Sequence, residues 1–357
     1  MKLVTLFGTR PEFIRLSRII PRLDECCEQV LVNTCQNYDP RLSDVFFTEL
    51  GLRRPDYTLD AQGTFGQQAG IIFPRLELVL QTVRPDRFLV LGDTNSSLGA
   101  IVAKRLGIPV YHIEAGNRCH DPRSPEEVNR RIIDHCTDVH MPYTERSRQN
   151  LLAEGIPSRN IYVTGNPINE VMQHYDAQIR ASRIIYELDL TPKCYCLVTM
   201  HRQENVDAPD RLKAACRAFR RIASDFSMPV IVSTHPRTRA RLKRKMMECP
   251  DVRWMEPFGF FDFMQLERQA GCVITDSGTV QEEAAILGVP SVTIRDTTER
   301  PETVEGGCNI VAGIKTGDIC QALQTVMTRH KPGRVPDEYL ATNVSETVCN
   351  IVTGMQT

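Results

Sequence analysis

The sequence predicts an α/β protein of two domains, each built on a parallel sheet with helices on both faces. Three observations carry this. Short β-branched runs alternate with stretches whose apolar residues recur at helical spacing. The same rhythm restarts near the middle of the chain. Finally, 357 residues correspond to about two domains at roughly 150 residues each.

In order, Lys2–Phe7 is the first strand, followed by a Gly-Thr-Arg-Pro-Glu turn and a helix over 13–23. Strands follow at 30–33, 87–91, 110–112 and 161–163, with helical patterns at 67–83 and 96–106. A polar stretch, 166–192, is the expected hinge. Beyond it, strands are expected at 195–200, 229–233, 253–255, 272–275 and 290–294, with helices at 211–224 and 280–287. The boundaries drawn from this are 1–168, 169–338 and a terminal helix over 339–357. The basic run 237–245 reads most simply as a solvated helix face.

Composition excludes several classes. An apolar fraction of 41% and a charged fraction of 24% are ordinary for a globular protein. Forty-three Lys and Arg against 44 Asp and Glu leave a net charge of −1, which argues against a bulk nucleic-acid binder. No long apolar run is present, so neither a membrane span nor a secretory leader is expected, and a cytoplasmic protein is. The 13 cysteines are scattered without zinc-site spacing; they read as reduced, mostly buried small hydrophobes, and no metal or cofactor is expected.

Sites in open α/β sheets lie beyond the carboxyl ends of strands. Gly8-Thr9-Arg10-Pro11-Glu12 follows the first strand: glycine permits the tight turn, proline suits a first helical position, and Arg10 can meet a phosphate. Alone, this is equally a plain strand–helix turn. Gly92-Asp93-Thr94 follows the next strand, where Asp93 alone reads more simply as a helix cap. Glu114 ends the strand after that, and a carboxylate there is costly to bury unless paired or used. Glu126-Glu127 opens a further helix, where the dipole favours acids anyway. Three acidic stations after consecutive strand–helix units point to carboxylates converging for proton transfer.

The second half carries a contrasting set. His201 and Arg202 follow one strand and His235 another; His201-Arg202 is the better diphosphate contact, and His235 reads more simply as structural. Thr275-Asp276-Ser277-Gly278-Thr279 is a small-residue turn into a helix, whose amides and Ser277 can hold phosphate. Glu283, one turn on, can accept ribose hydroxyls. Neither turn is a Walker loop or a dinucleotide fingerprint. A nucleotide sugar carries both needs, a diphosphate to hold and a carbon for acid–base chemistry.

Together, Gly8–Glu12, Gly92-Asp93-Thr94, His112-Ile113-Glu114-Ala115-Gly116, the Pro125–Arg130 stretch and Asp276–Ala284 resemble the non-hydrolysing UDP-N-acetylglucosamine 2-epimerase family, in order and over essentially the whole chain. The resemblance implies two Rossmann-type domains facing a cleft, a glycosyltransferase-B-like fold whose last helix returns to the first domain, and a cytosolic homodimer. It implies anti elimination of UDP across C1–C2, a 2-acetamidoglucal intermediate, and re-addition of UDP after C2 is reprotonated on the other face. It places catalysis on Asp93, Glu114, Glu126 and His201, and UDP contacts on Arg10, Ser277, Gly278 and Glu283, with the 257–260 backbone, ending at Phe260, holding uracil; Arg15, Arg202 and His235 are added as candidate substrate or UDP contacts from their own positions.

Departures are specific. Arg15 stands where the family often has Lys, and Gln36-Asn37-Tyr38 replaces a Gln-His-Arg stretch that helps bind an activating second UDP-GlcNAc in some bacterial members. With Asn117-Arg118-Cys119 and the 233–237 stretch, these resemble a subgroup acting on 6-deoxy sugars, UDP-N-acetyl-L-talosamine to UDP-N-acetyl-L-fucosamine. Other readings on the same fold are a glycosyltransferase, which needs no base at C2, a hydrolysing epimerase, which releases free sugar, and a non-catalytic nucleotide-sugar binder.

Overall fold

The computed structural model describes residues 1–36, 47–242, 250–328 and 333–354. It divides into two units, Met1–His174 with Asp337–Thr357, and Tyr175–Pro336. Compared with the boundaries drawn from sequence, helix Ile168–His174 joins the first unit. The reason is local: its Glu170 carboxylate accepts the backbone N–H of Ser345 at 2.8 Å, and Asn169 donates to the Leu340 carbonyl at 2.9 Å.

The first unit holds six parallel strands, β1 (Lys2–Phe7), β2 (Glu28–Asn33), β3 (Tyr57–Thr58), β4 (Arg87–Leu91), β5 (Val110–Ile113) and β6 (Val139–Met141), in the order β3-β2-β1-β4-β5-β6. The second repeats the plan with β7 (Cys196–Thr199), β8 (Val230–Ser233), β9 (Val252–Met255), β10 (Cys272–Thr275), β11 (Ser291–Thr293) and β12 (Asn309–Val311), ordered β12-β11-β10-β7-β8-β9. Counted within each unit, both are the doubly wound Rossmann arrangement. Both faces of the strands are covered, which explains the continuous apolar runs: Leu3, Val4, Leu6 and Phe7 of β1 and Val230, Ile231 and Val232 of β8 are all fully buried.

The helix expected over 13–23 is two helices, Arg10–Leu16 and Ile19–Cys26. The first ends at Ser17, whose hydroxyl bonds back to the Ile14 carbonyl and competes with continued helix. The strand expected at 161–163 is a single bridge between Ile161 and His140. Three short strands, β3, β6 and β12, gave no sequence expectation. The terminal helix Val344–Gly354 packs on Ile19–Cys26, with Glu346 paired to Arg22 at 2.6 Å. Of the cysteines, Cys249 lies outside the described residues; seven of the other twelve are buried, and all twelve are free thiols. Among the described residues no helix is long and apolar enough to cross a membrane.

In this topology the chain winds outward in opposite directions from β1 and β4, and in the second unit from β7 and β10. Loops leaving the carboxyl ends of those pairs border the crevice where such sheets bind ligands. Gly8–Glu12, Gly92-Asp93-Thr94, His201-Arg202 and Asp276-Ser277-Gly278 sit on those loops, while Glu114 and the Pro125–Arg130 stretch follow β5 and His235 follows β8.

Candidate functional site

In the first unit, Gly8 closes β1 against the end of β2. A Cβ there would lie 1.9 Å from the Thr34 hydroxyl and 2.6 Å from that of Ser96, so only glycine fits. Thr9 then caps the helix carrying half-buried Arg10 at its first position. The Glu12 side chain folds back under this turn. Its Oε2 accepts the Gly8 and Thr9 amides at 3.0 and 2.7 Å and the Thr9 hydroxyl at 2.7 Å; its Oε1 accepts the Thr94 hydroxyl at 3.0 Å.

Asp93 follows β4 and is not a helix cap. Thr94 occupies that position of the next 3-10 turn, while the Asp93 carboxylate takes the Arg130 Nε–H at 2.6 Å. Arg130 in turn reaches Glu127 at 3.0 Å, and Asn129 donates to the Asp93 carbonyl. Helix Pro125–Cys136 is therefore tied to the Asp93 turn. Glu126, in its first turn, is half-buried and accepts from Ser124 at 3.0 Å. Its neighbour Glu127 is fully engaged, accepting the Cys119 and His120 amides at 3.0 and 3.3 Å. Burial alone would raise the Glu127 carboxyl, but the Cys119 amide and Arg130 outweigh it and hold it below the usual range.

Glu114 ends β5 with φ of 70°, a left-handed backbone that costs a non-glycine residue about 1 kcal/mol or more. The carboxylate is buried, accepting Asn117 Nδ2–H at 3.0 Å, Arg15 at 3.3 Å and the Tyr143 hydroxyl at 3.4 Å. A Cβ on Gly92 would sit 3.4 Å from Glu114 Oε2, so this carboxylate lies against the residue preceding Asp93. Arg15, expected to contact substrate, lies with its guanidinium against Glu114.

Behind these loops lies a buried ionic cluster. His112 is held at both ring nitrogens, Nδ1 2.9 Å from Asp134 and Nε2 2.9 Å from the Gly92 carbonyl. Asp134 also takes the Gly116 amide at 3.2 Å and Arg118 at 2.8 Å, and Arg118 forks onto Glu154 at 2.8 and 2.6 Å. Burial would push the Asp134 carboxyl up; the His112 hydrogen bond and the nearby positive charges prevail and bring it to about 2. One cluster thus fixes both Gly92, beside Asp93, and Gly116, beyond Glu114.

In the second unit, Asp276 is the organiser. Fully buried at the end of β10, it accepts the His201 amide at 3.0 Å, the Arg202 amide at 2.9 Å and Asn205 at 3.1 Å. His201, about one-third exposed, keeps Nδ1 3.4 Å from the same carboxylate. Arg202 pairs with buried Glu299 at 3.3 Å. The His201 and His235 rings lie 5.5 Å apart, and His235 Nδ1 caps the following helix by accepting the Arg237 amide at 3.1 Å. Ser277 opens helix Gly278–Leu287 with its hydroxyl 2.8 Å from that of Thr279. At Gly278 a Cβ would lie 2.5 Å from Glu299, so the turn is again closed to side chains.

Glu283 is buried on that helix, near Glu267 of helix Phe260–Gln269. Burial, and then the Glu283 charge, push the Glu267 carboxyl well above the usual range, so it stays protonated beside Glu283. The Phe260 ring is buried 6.2 Å from the Tyr175 ring, so what it can offer a nucleotide is backbone. In the basic run, Arg237 and Arg241 pair with Asp207 and Arg239 with Glu256, while 243–245 lie outside the described residues. So do Asn37 and Tyr38; Gln36 accepts the Ser96 amide at 3.1 Å. Among the described residues no group of three or more His, Cys, Asp or Glu side chains could hold a metal ion.

Sequence reasoning missed the supports: Glu12, His112, Asp134, Tyr143, Asp276 and Glu267. Glu12, His112 and Asp276 stand inside motifs already singled out, but the burial that marks them as supports shows only in the fold. The Arg295–Pro301 stretch after β11 was missed too, although it sets Arg295 and Arg300 on Glu299 and Glu282.

Residues 22–353 match the family model described as UDP-N-acetylglucosamine 2-epimerase. The UDP-N-acetylglucosamine 2-epimerase of Methanocaldococcus jannaschii is 39% identical over 94% of this chain and 95% of its own. The crystal structure of that organism's UDP-GlcNAc 2-epimerase with UDP-GlcNAc and UDP matches at a TM-score of 0.94 and 38% identity, covering 99% of both chains. A UDP-2,3-diacetamido-2,3-dideoxy-D-glucuronate 2-epimerase of Pseudomonas aeruginosa is 37% identical over 91% of this chain and 92% of its own. In fold alone, the chain is also similar to the glycosyltransferase WaaG, at a TM-score of 0.62, 12% identity and coverage of 99% of this chain and 100% of that one.

Proposed function

Because the chain belongs to the UDP-N-acetylglucosamine 2-epimerase family, we propose that it inverts C2 of a UDP-2-acetamido sugar, of the UDP-GlcNAc to UDP-ManNAc type, without hydrolysing it. The C2 proton passes to a carboxylate while the C2–H electron pair forms the C1–C2 double bond and the C1–O pair leaves with UDP. A proton that has exchanged with solvent is then delivered to the other face of C2 and UDP re-adds at C1. That proton is weakly acidic, so stabilising the departing diphosphate supplies much of the driving force.

The observation that carries this reading is Glu114 in a left-handed backbone, its carboxylate against Gly92 and one residue from Asp93. A glycosyltransferase needs no base at C2, because transfer to an acceptor removes no proton from that carbon. In this account Asp93, Glu114 and Glu126 handle the proton. Arg10, His201, Arg202 and the Ser277-Gly278 amides meet the diphosphate, with His235 beside His201. Glu283 accepts the ribose hydroxyls, and the 257–260 backbone holds the uracil. The working enzyme is a cytoplasmic homodimer supplying polysaccharide precursors.

A second reading keeps the chemistry and changes the sugar, to a 6-deoxy UDP-amino sugar. Arg15, with its guanidinium on Glu114 in place of the family's frequent Lys, favours it. Proton NMR of UDP-GlcNAc, UDP-N-acetyl-L-talosamine and a UDP-diacetamido sugar, each incubated with pure protein, separates the two. The true donor yields its C2 epimer and no free sugar; inertness toward all three would overturn both readings.

A further inference from the structure

The Glu12 carboxyl is 1% exposed, and each of its partners is a neutral donor: two amides and two hydroxyls. Charged groups around it are engaged elsewhere. Arg15 of the same helix turns to Glu114, Asp93 to Arg130, and Glu170 of the packed helix Ile168–His174 to Ser345; Arg10 stands at the helix start. Glu12 therefore spans two turns, taking the turn of Arg10 with Oε2 and the turn of Asp93 with Oε1. A carboxylate accepts from all four donors. Once protonated it must itself donate, and of its partners the amides can only donate. The Thr9 and Thr94 hydroxyls can turn to accept; Oε2 already takes two amides and the Thr9 hydroxyl, so the proton falls to Oε1, which faces the Thr94 hydroxyl alone.

We propose that Glu12 is a positioning residue whose carboxylate locks the Asp93 turn to the Arg10 turn, and that its protonation reverses or releases the Thr94 hydrogen bond and slows turnover below neutrality. Burial, set against the four hydrogen bonds, pushes this carboxyl up to about 7, so the link changes state in the physiological range. The inference rests on Asp93 belonging to the acid–base set.

The test is C2 proton exchange against pH, from about pH 5.5 to about pH 9, for wild type, Glu12→Gln and Thr94→Val. Thr94→Val leaves the Glu12 contacts with Gly8 and Thr9 intact and cuts only the link. Wild type should lose rate as pH falls through about 7; both variants should lack that limb, with kcat lowered about tenfold at alkaline pH and KM changed by less than about threefold. A limb that survives in Thr94→Val belongs to another group and would overturn the proposal, as would wild-type kcat in that variant. Should wild type exchange no donor, the epimerase reading fails, and carbon-13 NMR of the Glu12 carboxyl decides this one: a midpoint below about 5.5 sinks it.

Discussion

The two sheet crevices share a topology and invert its electrostatics. In the first unit the buried cations Arg15 and Arg130 support the carboxylates Glu114 and Asp93. In the second the buried anions Asp276 and Glu299 support His201 and Arg202. On the proposed assignment, one scaffold serves two tasks by exchanging the sign of the supporting charge. A buried charge costs several kcal/mol unless paired, and Asp93, Glu114, His201 and Arg202 each have a buried partner of opposite sign. The difference teaches that the supports, more than the exposed groups, tell which task a crevice performs.

The comparison breaks most visibly at the carboxylates. Asp93→Asn and Glu114→Gln should each lower C2 exchange by about 10²- to 10⁴-fold while UDP affinity, read by calorimetry, stays near wild type. Equal losses of exchange and of UDP affinity would erase the division between the units. Glu126→Gln should also act mainly on turnover, to a smaller extent.

Mutation of the second unit should do the reverse. Asp276→Ala strands three donors, costing about 3 kcal/mol of stability and weakening UDP binding more than about tenfold. His201→Ala should raise the UDP dissociation constant about tenfold, near 1.4 kcal/mol, and slow turnover through the leaving group. Unchanged UDP affinity in both variants would contradict the assignment.

The smallest effect sharpens the account of the supports. The Asp134 carboxyl lies near 2 in the folded protein against 3.8 ordinarily, so its stabilisation is complete above about pH 4 and lost as pH falls through about 2. Urea unfolding should show wild type about 2 kcal/mol ahead of Asp134→Asn near neutrality from this source, with the gap closing below about pH 4. A gap independent of pH would show that His112 and Arg118 do not act through charge.

Fold and motifs were legible because each depends on neighbours in sequence. Strand β1 reads as a buried run, the turn after it needs glycine, and Asp93, Glu114 and Ser277 follow strands directly. What stayed hidden depends on contacts across the sheet. Glu12 meets Thr94 from 82 residues away, and Arg15 meets Glu114 from 99. A carboxylate in a helix's first turn, such as Glu12, reads as dipole compensation until its burial is known. Likewise Asp276, inside a motif already noticed, reads as a turn residue until the His201 amide is seen to bond to it. Short strands such as β3, two residues long, carry no periodicity at all.

The central claim is that this chain makes and breaks the bond to the proton on C2. Incubation with the donor it epimerises, in heavy water, followed by NMR of the recovered nucleotide sugar, tests it most directly. The account predicts one deuterium at C2 in both epimers, with no free sugar. Recovered donor and product carrying only protium at C2, or release of free sugar in step with UDP, would contradict it.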